Sequence, residues 1–288
     1  MREQNEINIR KQEVDKRIKK HNYGEKLYHY TSFASLIGIL SKKELWLGNT
    51  ANMNDKSEIV DFVKKLQAAV SDDIEPEKIS ICNSFFEKVY NRLKSEYPFA
   101  SCFSTLNDNA AQWERYADNA HGVCIVFNTS AFMNLIFYSG ALFNEVFYKY
   151  DIKHHAHYKI LKEYFNTGVL NEFSNEIGEM DNLLACAYLH KHESFCTESE
   201  VRLMTLWNHK IQDSEFSFEM TNGILKKVLK LSLGKLCLDE NIDFEELIDA
   251  IVIAPRSEQN EQELKEYIEY LGYKKIGNKI YKSQCPLR

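Results

Sequence analysis

Residues 98–105 read Pro-Phe-Ala-Ser-Cys-Phe-Ser-Thr, and residues 121–127 read His-Gly-Val-Cys-Ile-Val-Phe. The first predicts a strand of alternating small and aromatic residues, opened by a proline. The second is a continuous apolar run and predicts a buried strand. Between them the turn Asn107-Asp108-Asn109 leads into a short helix over 110–116. Toward the N-terminus, residues 25–30 (EKLYHY) and 44–47 (ELWL) predict two more short strands. Thr31 or Ser32 is placed to cap the helix that separates them. Residues 49–55 are turn-rich, and helices are expected over 56–70 and 77–95, broken at Glu75-Pro76. Toward the C-terminus, 131–138 predicts a short helix and 142–148 a strand. Two helices are expected over 155–166 and 170–190, then a strand over 201–207. Residues 224–233 carry mixed strand and helix signals. Residues 248–254 (IDAIVIA) are a buried strand ended by Pro255. Ser257 is then placed to cap a helix over 259–271, Gly272 to stop it, and 276–282 to close with a strand. Strands and helices do not alternate regularly, so the fold class is α+β rather than a doubly wound parallel sheet.

The chain has 288 residues, 44% hydrophobic and 27% charged, with 11 Gly and 4 Pro. That composition fits a globular chain able to bury a full core without disulfides or metals. The net charge of −6 is mildly acidic and disfavours non-specific nucleic-acid binding, which needs a broad positive field. No run of about 18 apolar residues predicts a membrane span, and residues 1–22 lack the apolar core of a signal peptide. Seven cysteines form no C-x-x-C pair. An odd count without a signal peptide reads as reduced thiols in the cytoplasm, most of them small core residues. Residues 1–22 form a polar helix with Ile7, Val14 and Ile18 on one stripe. Eight basic and five acidic residues lie within 1–26. This helix either packs by its stripe or serves as a homodimer contact or partner-docking arm. Residues 23–288 then form one domain, with a helical insertion near 151–195.

Five constellations bear on chemistry. If Glu198 to Leu203 is one strand, Glu198, Glu200 and Arg202 share a face while Val201 and Leu203 point into a core. Two carboxylates about 7 Å apart beside a guanidinium suit stabilisation of a cationic centre; a solvated strand face with one ion pair is the plainer alternative. Tyr28-His29-Tyr30-Thr31-Ser32 puts an imidazole and hydroxyls at a strand end, either to hold a polar ligand or as satisfied structural groups. Asn52-Met53-Asn54-Asp55 is a turn by the backbone-bonding habit of Asn and Asp, or a ligand loop. Trp113 and Tyr116, three apart on a helix, face one way, as core or as a stacking platform. His154, His155 and His157 invite a metal reading but lack zinc-pair spacing and a partner Cys or Glu pattern. They read as a solvated helix, with no metal expected, and His190 and His192 fare no better. No P-loop, G-x-G-x-x-G or G-x-S-x-G is present, which weighs against a nucleotide kinase, a Rossmann dehydrogenase and an α/β-hydrolase.

Taken in order, the pieces LYHYTS (27–32), NMNDKSE (52–58), SCFST (101–105), W-x-x-Y-A-D (113–118), GVCIVF (122–127), F-x-x-E-x-E-V-R-L (195–203), IVIAP (251–255) and SQCPLR (283–288) resemble a bacterial family known as domain of unknown function 2971. That family in turn resembles the ADP-ribosyltransferase superfamily. The resemblance implies a split β-sheet that clamps NAD as co-substrate, with no metal. It implies that His29 and Thr31 bind NAD, and that the backbone of Tyr30 meets the nicotinamide amide. A middle-strand motif is filled by Ser104 or Tyr116, with Tyr116 also shaping the pocket. Glu200 is implied as the catalytic carboxylate and Glu198, two residues before it, as the group that positions the acceptor. Arginine-directed members pair their E-x-E with Arg on the first strand, whereas this chain has His29. Many His-type members follow that His with Gly, whereas this chain has Tyr30. The acceptor implied is protein, nucleic acid or water, and the setting a toxin or phage-defence effector. A non-catalytic nucleotide-binding module on the same fold is the alternative.

Overall fold

The computed structural model describes residues 2–21, 23–50, 56–137, 139–168, 176–205, 211–221 and 223–287. Asn54 and Asp55, with the turn that carries them, lie outside the described residues, as do parts of the predicted 131–138, 170–190 and 201–207 elements. Among the described residues the chain is a mixed α and β fold built on a ten-stranded sheet.

Three strands set the frame. β1 (Lys26–Thr31) pairs along its whole length with β4 (Val123–Asn128), antiparallel. β3 (Phe99–Ser104) pairs antiparallel with β6 (Glu200–Met204), from Ala100 opposite Met204 to Ser104 opposite Glu200. Between β1 and β3 the register consists of one pair, Tyr28 with Ser104. β2 (Glu44–Asn49) meets the other end of β3, at Ala100 and Phe99. The sheet therefore opens along the middle of β3. In that opening the His29 imidazole bonds the Cys102 carbonyl through Nδ1 at 2.9 Å. The side chain satisfies a strand carbonyl that a regular ladder would have paired.

One arm of the sheet continues from β4 to β9 (Ile248–Ile253), antiparallel, and on to β10 (Ile280–Lys282), parallel. The other continues from β2 to β8 (Ile224–Ser232) and β7 (Ser214–Thr221). β5 (Leu142–Glu145) covers the outer edge of β6. Residues 224–233 are thus strand. β7 has no counterpart among the predicted elements, although Phe216, Phe218 and Met220 alternate with polar residues at the strand period; those side chains stay exposed and mark no core face.

One main core packs α1 (Arg2–His21), α2 (Phe33–Lys42), α6 (Thr129–Ile136) and α10 (Glu261–Tyr270) on the sheet face that carries Leu27, Phe103, Val201 and Leu203. α1 contributes Val14, fully buried, and Arg10, which pairs with Glu240. A second core joins α3 (Lys56–Asp72), α4 (Ile79–Ser95), α7 (Ala156–Thr167) and α8 (Glu176–Ala187). Ser32 caps α2 as expected. At α10 the cap is Asn260, not Ser257, because the Asn260 side chain reaches both Gln262 and Glu263 N–H groups. The strand expected over 276–282 starts later, after a one-turn helix α11 (Lys274–Gly277); four residues are too few for periodicity to separate the two forms.

α5 (Ala110–Tyr116) ends in a tight reversal. Asp118, Asn119 and Ala120 all have left-handed backbones, with φ of 50, 53 and 67°. Gly122 then donates to the Ala117 carbonyl at 2.8 Å. A Cβ at Gly122 would stand 2.2 Å from the Thr31 carbonyl oxygen, a backbone atom that cannot rotate away. Gly122→Ala is therefore expected to destabilise the protein by about 1–3 kcal/mol through backbone displacement, measured by urea unfolding. An unchanged midpoint would show that β1 and this turn separate freely.

Candidate functional site

β6 is buried on both faces. Val201 and Leu203 enter the main core, while Glu200 and Arg202 lie on the opposite face and are also buried, Arg202 to 2% exposure. The expectation of a solvated face with one ion pair is therefore overturned. So is the placement of Glu198 on the strand. Glu198 ends a 3-10 turn, Glu193–Glu198, and Ser199 follows with φ of 44°. That left-handed residue turns the chain so that both carboxylates converge on a third group, Lys191.

Lys191 Nζ lies 2.6 Å from Glu198 Oε2 and 3.2 Å from Glu200 Oε2. Arg202 grips Glu200 through Nε at 2.7 Å and Nη2 at 3.1 Å, and also donates Nη1 to the Tyr188 carbonyl at 2.7 Å. Glu198 Oε1 accepts from Arg115 at 2.8 Å and from the Tyr116 hydroxyl at 2.9 Å. The Glu198 carbonyl accepts from Ser104 Oγ and Gln112 Nε2, which fastens the turn to β3 and α5. The Tyr148 hydroxyl accepts from the Glu200 N–H at 2.9 Å. Burial alone would raise the Glu200 carboxyl, but the Arg202 and Lys191 charges outweigh it and hold it down to about 2.

Lys191, Glu198, Glu200, Arg202, Ser104, Gln112 and Tyr116 line a cleft of about 370 Å³ that reaches into the opening between β1 and β3. His29 forms part of its wall. Burial lowers the His29 pKa, against the pull of the Cys102 carbonyl, so the ring is neutral at pH 7. Because Nδ1–H is used on that carbonyl, Nε2 keeps its lone pair and can accept a hydrogen bond. Three cations (Lys191, Arg115, Arg202) face two carboxylates (Glu198, Glu200) in the lining and its first contacts, a surplus that favours an anionic ligand. Arg115, whose side chain is 46% exposed, holds Glu198 from outside the lining.

The residues singled out from sequence sort clearly. His29, Tyr30, Ser104, Tyr116, Glu198, Glu200 and Arg202 all line this cleft. The Tyr30 ring does not fill it: it packs edge-on against Trp113 and its hydroxyl donates to the Leu106 carbonyl. Thr31 is not among the lining residues; it pairs with Val123. Trp113 and Tyr116 do not face one way. Trp113 is fully buried, its Nε1 on Asp108, while Tyr116 is 44% exposed and turned to Glu198. Sequence reasoning missed Lys191, Arg115, Gln112 and Tyr148. Lys191 carries no periodic signal, since it reaches Glu198 only through the intervening 3-10 turn.

Residues 112–203 match the family described as protein of unknown function DUF2971. The match runs from α5 to β6 and so covers Gln112, Arg115, Tyr116, Lys191, Glu198, Glu200 and Arg202. No curated protein and no solved structure matches the chain. Among the described residues, no helix is long and apolar enough to cross a membrane, and the seven cysteines are free, with Cys82, Cys124 and Cys237 buried. Cys186 and Cys285 are half-buried and pack against hydrophobic clusters, so most of the cysteines serve as core residues as expected, while Cys196 is exposed.

Proposed function

We propose that this cleft binds NAD as a co-substrate and that the chain is an ADP-ribosyltransferase-like enzyme. The observation that carries the proposal is the convergence of a neutral imidazole and an ionised, rigidly held carboxylate on one cleft. His29 Nε2 accepts a hydrogen bond from a ribose hydroxyl. Arg115, half-exposed beside Glu198, offers a guanidinium to the pyrophosphate. The bond from the ribose anomeric carbon to the nicotinamide ring nitrogen breaks, and its electron pair leaves with nicotinamide, which becomes neutral. The positive charge left on the ribose is stabilised by the Glu200 carboxylate. The acceptor then attacks the anomeric carbon and gives up its proton. Glu198, hinged on Arg115 and Tyr116, is the group beside that acceptor. The acceptor is protein, nucleic acid or water; with water the protein is an NAD glycohydrolase. A toxin or phage-defence effector is the setting such chemistry fits.

One observation favours a second reading. Both carboxylates are already charge-compensated, Glu200 by Arg202 and Lys191 and Glu198 by Lys191 and Arg115. Compensated carboxylates suit a non-catalytic nucleotide-binding module equally well. Calorimetric titration with NAD, followed by product analysis, separates the two. Saturable binding with free nicotinamide appearing beyond one equivalent supports the enzyme, and binding with NAD recovered intact supports the module. Absence of NAD binding overturns the enzyme, and absence of binding by NAD and by other nucleotides overturns both.

A further inference from the structure

The histidines set aside as solvated are not all solvated. His154 is exposed, but His155 and His157 are partly buried, and His190 is 2% exposed. They meet around Cys186 near the end of α8. One ligand atom from each of His155, Cys186 and His190 lies within 4.8 Å of the others. We propose that these three side chains form a binding site for a zinc-class divalent transition metal ion, with a fourth position open to water or another donor.

The chemistry of each group fits. His190 Nδ1 donates to the Cys186 carbonyl at 2.8 Å, which fixes the ring and its tautomer. Its Nε2 is buried and has no hydrogen-bond partner. A histidine held by a backbone carbonyl with its other nitrogen bare is the arrangement that metal-ligating histidines use. A buried nitrogen left without a partner is otherwise destabilising, so the site explains a feature that core packing leaves unexplained. His155 Nε2 stands 3.5 Å from Cys186 Sγ. The nitrogen-to-sulfur edge of a tetrahedral zinc site is about 3.5 Å, from bond lengths of about 2.0–2.1 and 2.3 Å. The widest separation in the triad closes by about 1 Å on loading, a side-chain rotation.

The surroundings supply a second layer. His157 stacks on His155, with ring centroids 5.5 Å apart, and Glu179 Oε2 lies 3.9 Å from His157 Nδ1. Both of those atoms are buried without hydrogen bonds. Access runs through the cavity of about 1120 Å³ that His190 lines together with Lys191 and Tyr150. Loading has a proton cost. Cys186 gives up its thiol proton, and His155 moves its proton to Nδ1, releasing the long 3.3 Å contact from the His157 N–H. A thiolate with two imidazoles selects zinc, cobalt or copper over magnesium and calcium.

The test is titration of chelator-treated full-length protein with Co(II), read by absorption. One equivalent is expected to bind and to give a thiolate-to-cobalt band that added Zn(II) removes. Cys186→Ser should abolish the band, and His190→Gln should weaken binding at least about tenfold. His192→Ala, outside the cluster, should leave both unchanged. Circular dichroism checks that each variant is folded, and if His190→Gln is not, the Cys186→Ser result decides. A wild-type protein that binds no cobalt, or a band that persists in Cys186→Ser, overturns the site. Neither readout depends on NAD.

Discussion

Replacing Arg202 with methionine is expected to destabilise the protein by about 3–5 kcal/mol, because it strands a buried carboxylate. Glu200 takes two of its bonds from this guanidinium, one at each carboxylate oxygen. The double variant Arg202→Met with Glu200→Met should recover most of that loss, since a buried pair replaced by apolar groups is often neutral or better. Lys191 retains Glu198 in that variant. The pH dependence has a definite sign. In the native protein the Glu200 carboxyl is held at about 2, below its ordinary value of 4.5. Its contribution to stability is therefore complete above about 4.5 and is lost as pH falls through about 2. Without Arg202 the carboxyl rises, so the deficit of the single variant shrinks as the solution is acidified. Urea unfolding at neutral and mildly acidic pH measures both effects. Equal losses in the single and double variants would show that Arg202 acts through packing alone.

Glu200→Gln is expected to reduce nicotinamide release from NAD by about 10²–10³-fold, the loss of one preorganised electrostatic contact, about 3–4 kcal/mol. Glutamine keeps the size of the side chain and one acceptor for Arg202, so KM for NAD should change little while kcat falls. Glu198→Gln separates the two acidic roles: nicotinamide release should persist while transfer to the acceptor drops. A thermal melt on each variant distinguishes chemistry from misfolding. Undiminished release in Glu200→Gln would remove that residue from the reaction.

Most of the frame was legible in the residues. VCIVF (123–127) and AIVIA (250–254) are apolar throughout because β4 and β9 lie inside the sheet and are covered on both faces. Ser32 before α2 was readable as a cap because capping is a local bond. The cleft was half legible. His29 and Glu200 were found as polar groups on strands, where alternation says which way a side chain points. Glu198 was found for the wrong reason: alternation put it on a strand, but the left-handed Ser199 brings it round from a turn. Lys191 and the His155–Cys186–His190 cluster were illegible, because each joins loop or helix-end residues through tertiary contacts that leave no repeat in the sequence. β7 is the opposite case: Phe216, Phe218 and Met220 alternate as in a strand, but they stay exposed in the hairpin with β8, so the pattern points to no core.

The most direct measurement is a crystal structure of the protein soaked with NAD. The adenosine-side ribose should lie at His29 Nε2 and the nicotinamide-side ribose at the Glu200 carboxylate, with the pyrophosphate toward Arg115. NAD seated elsewhere, or an empty cleft at saturating NAD, would contradict the assignment of this cleft to a dinucleotide.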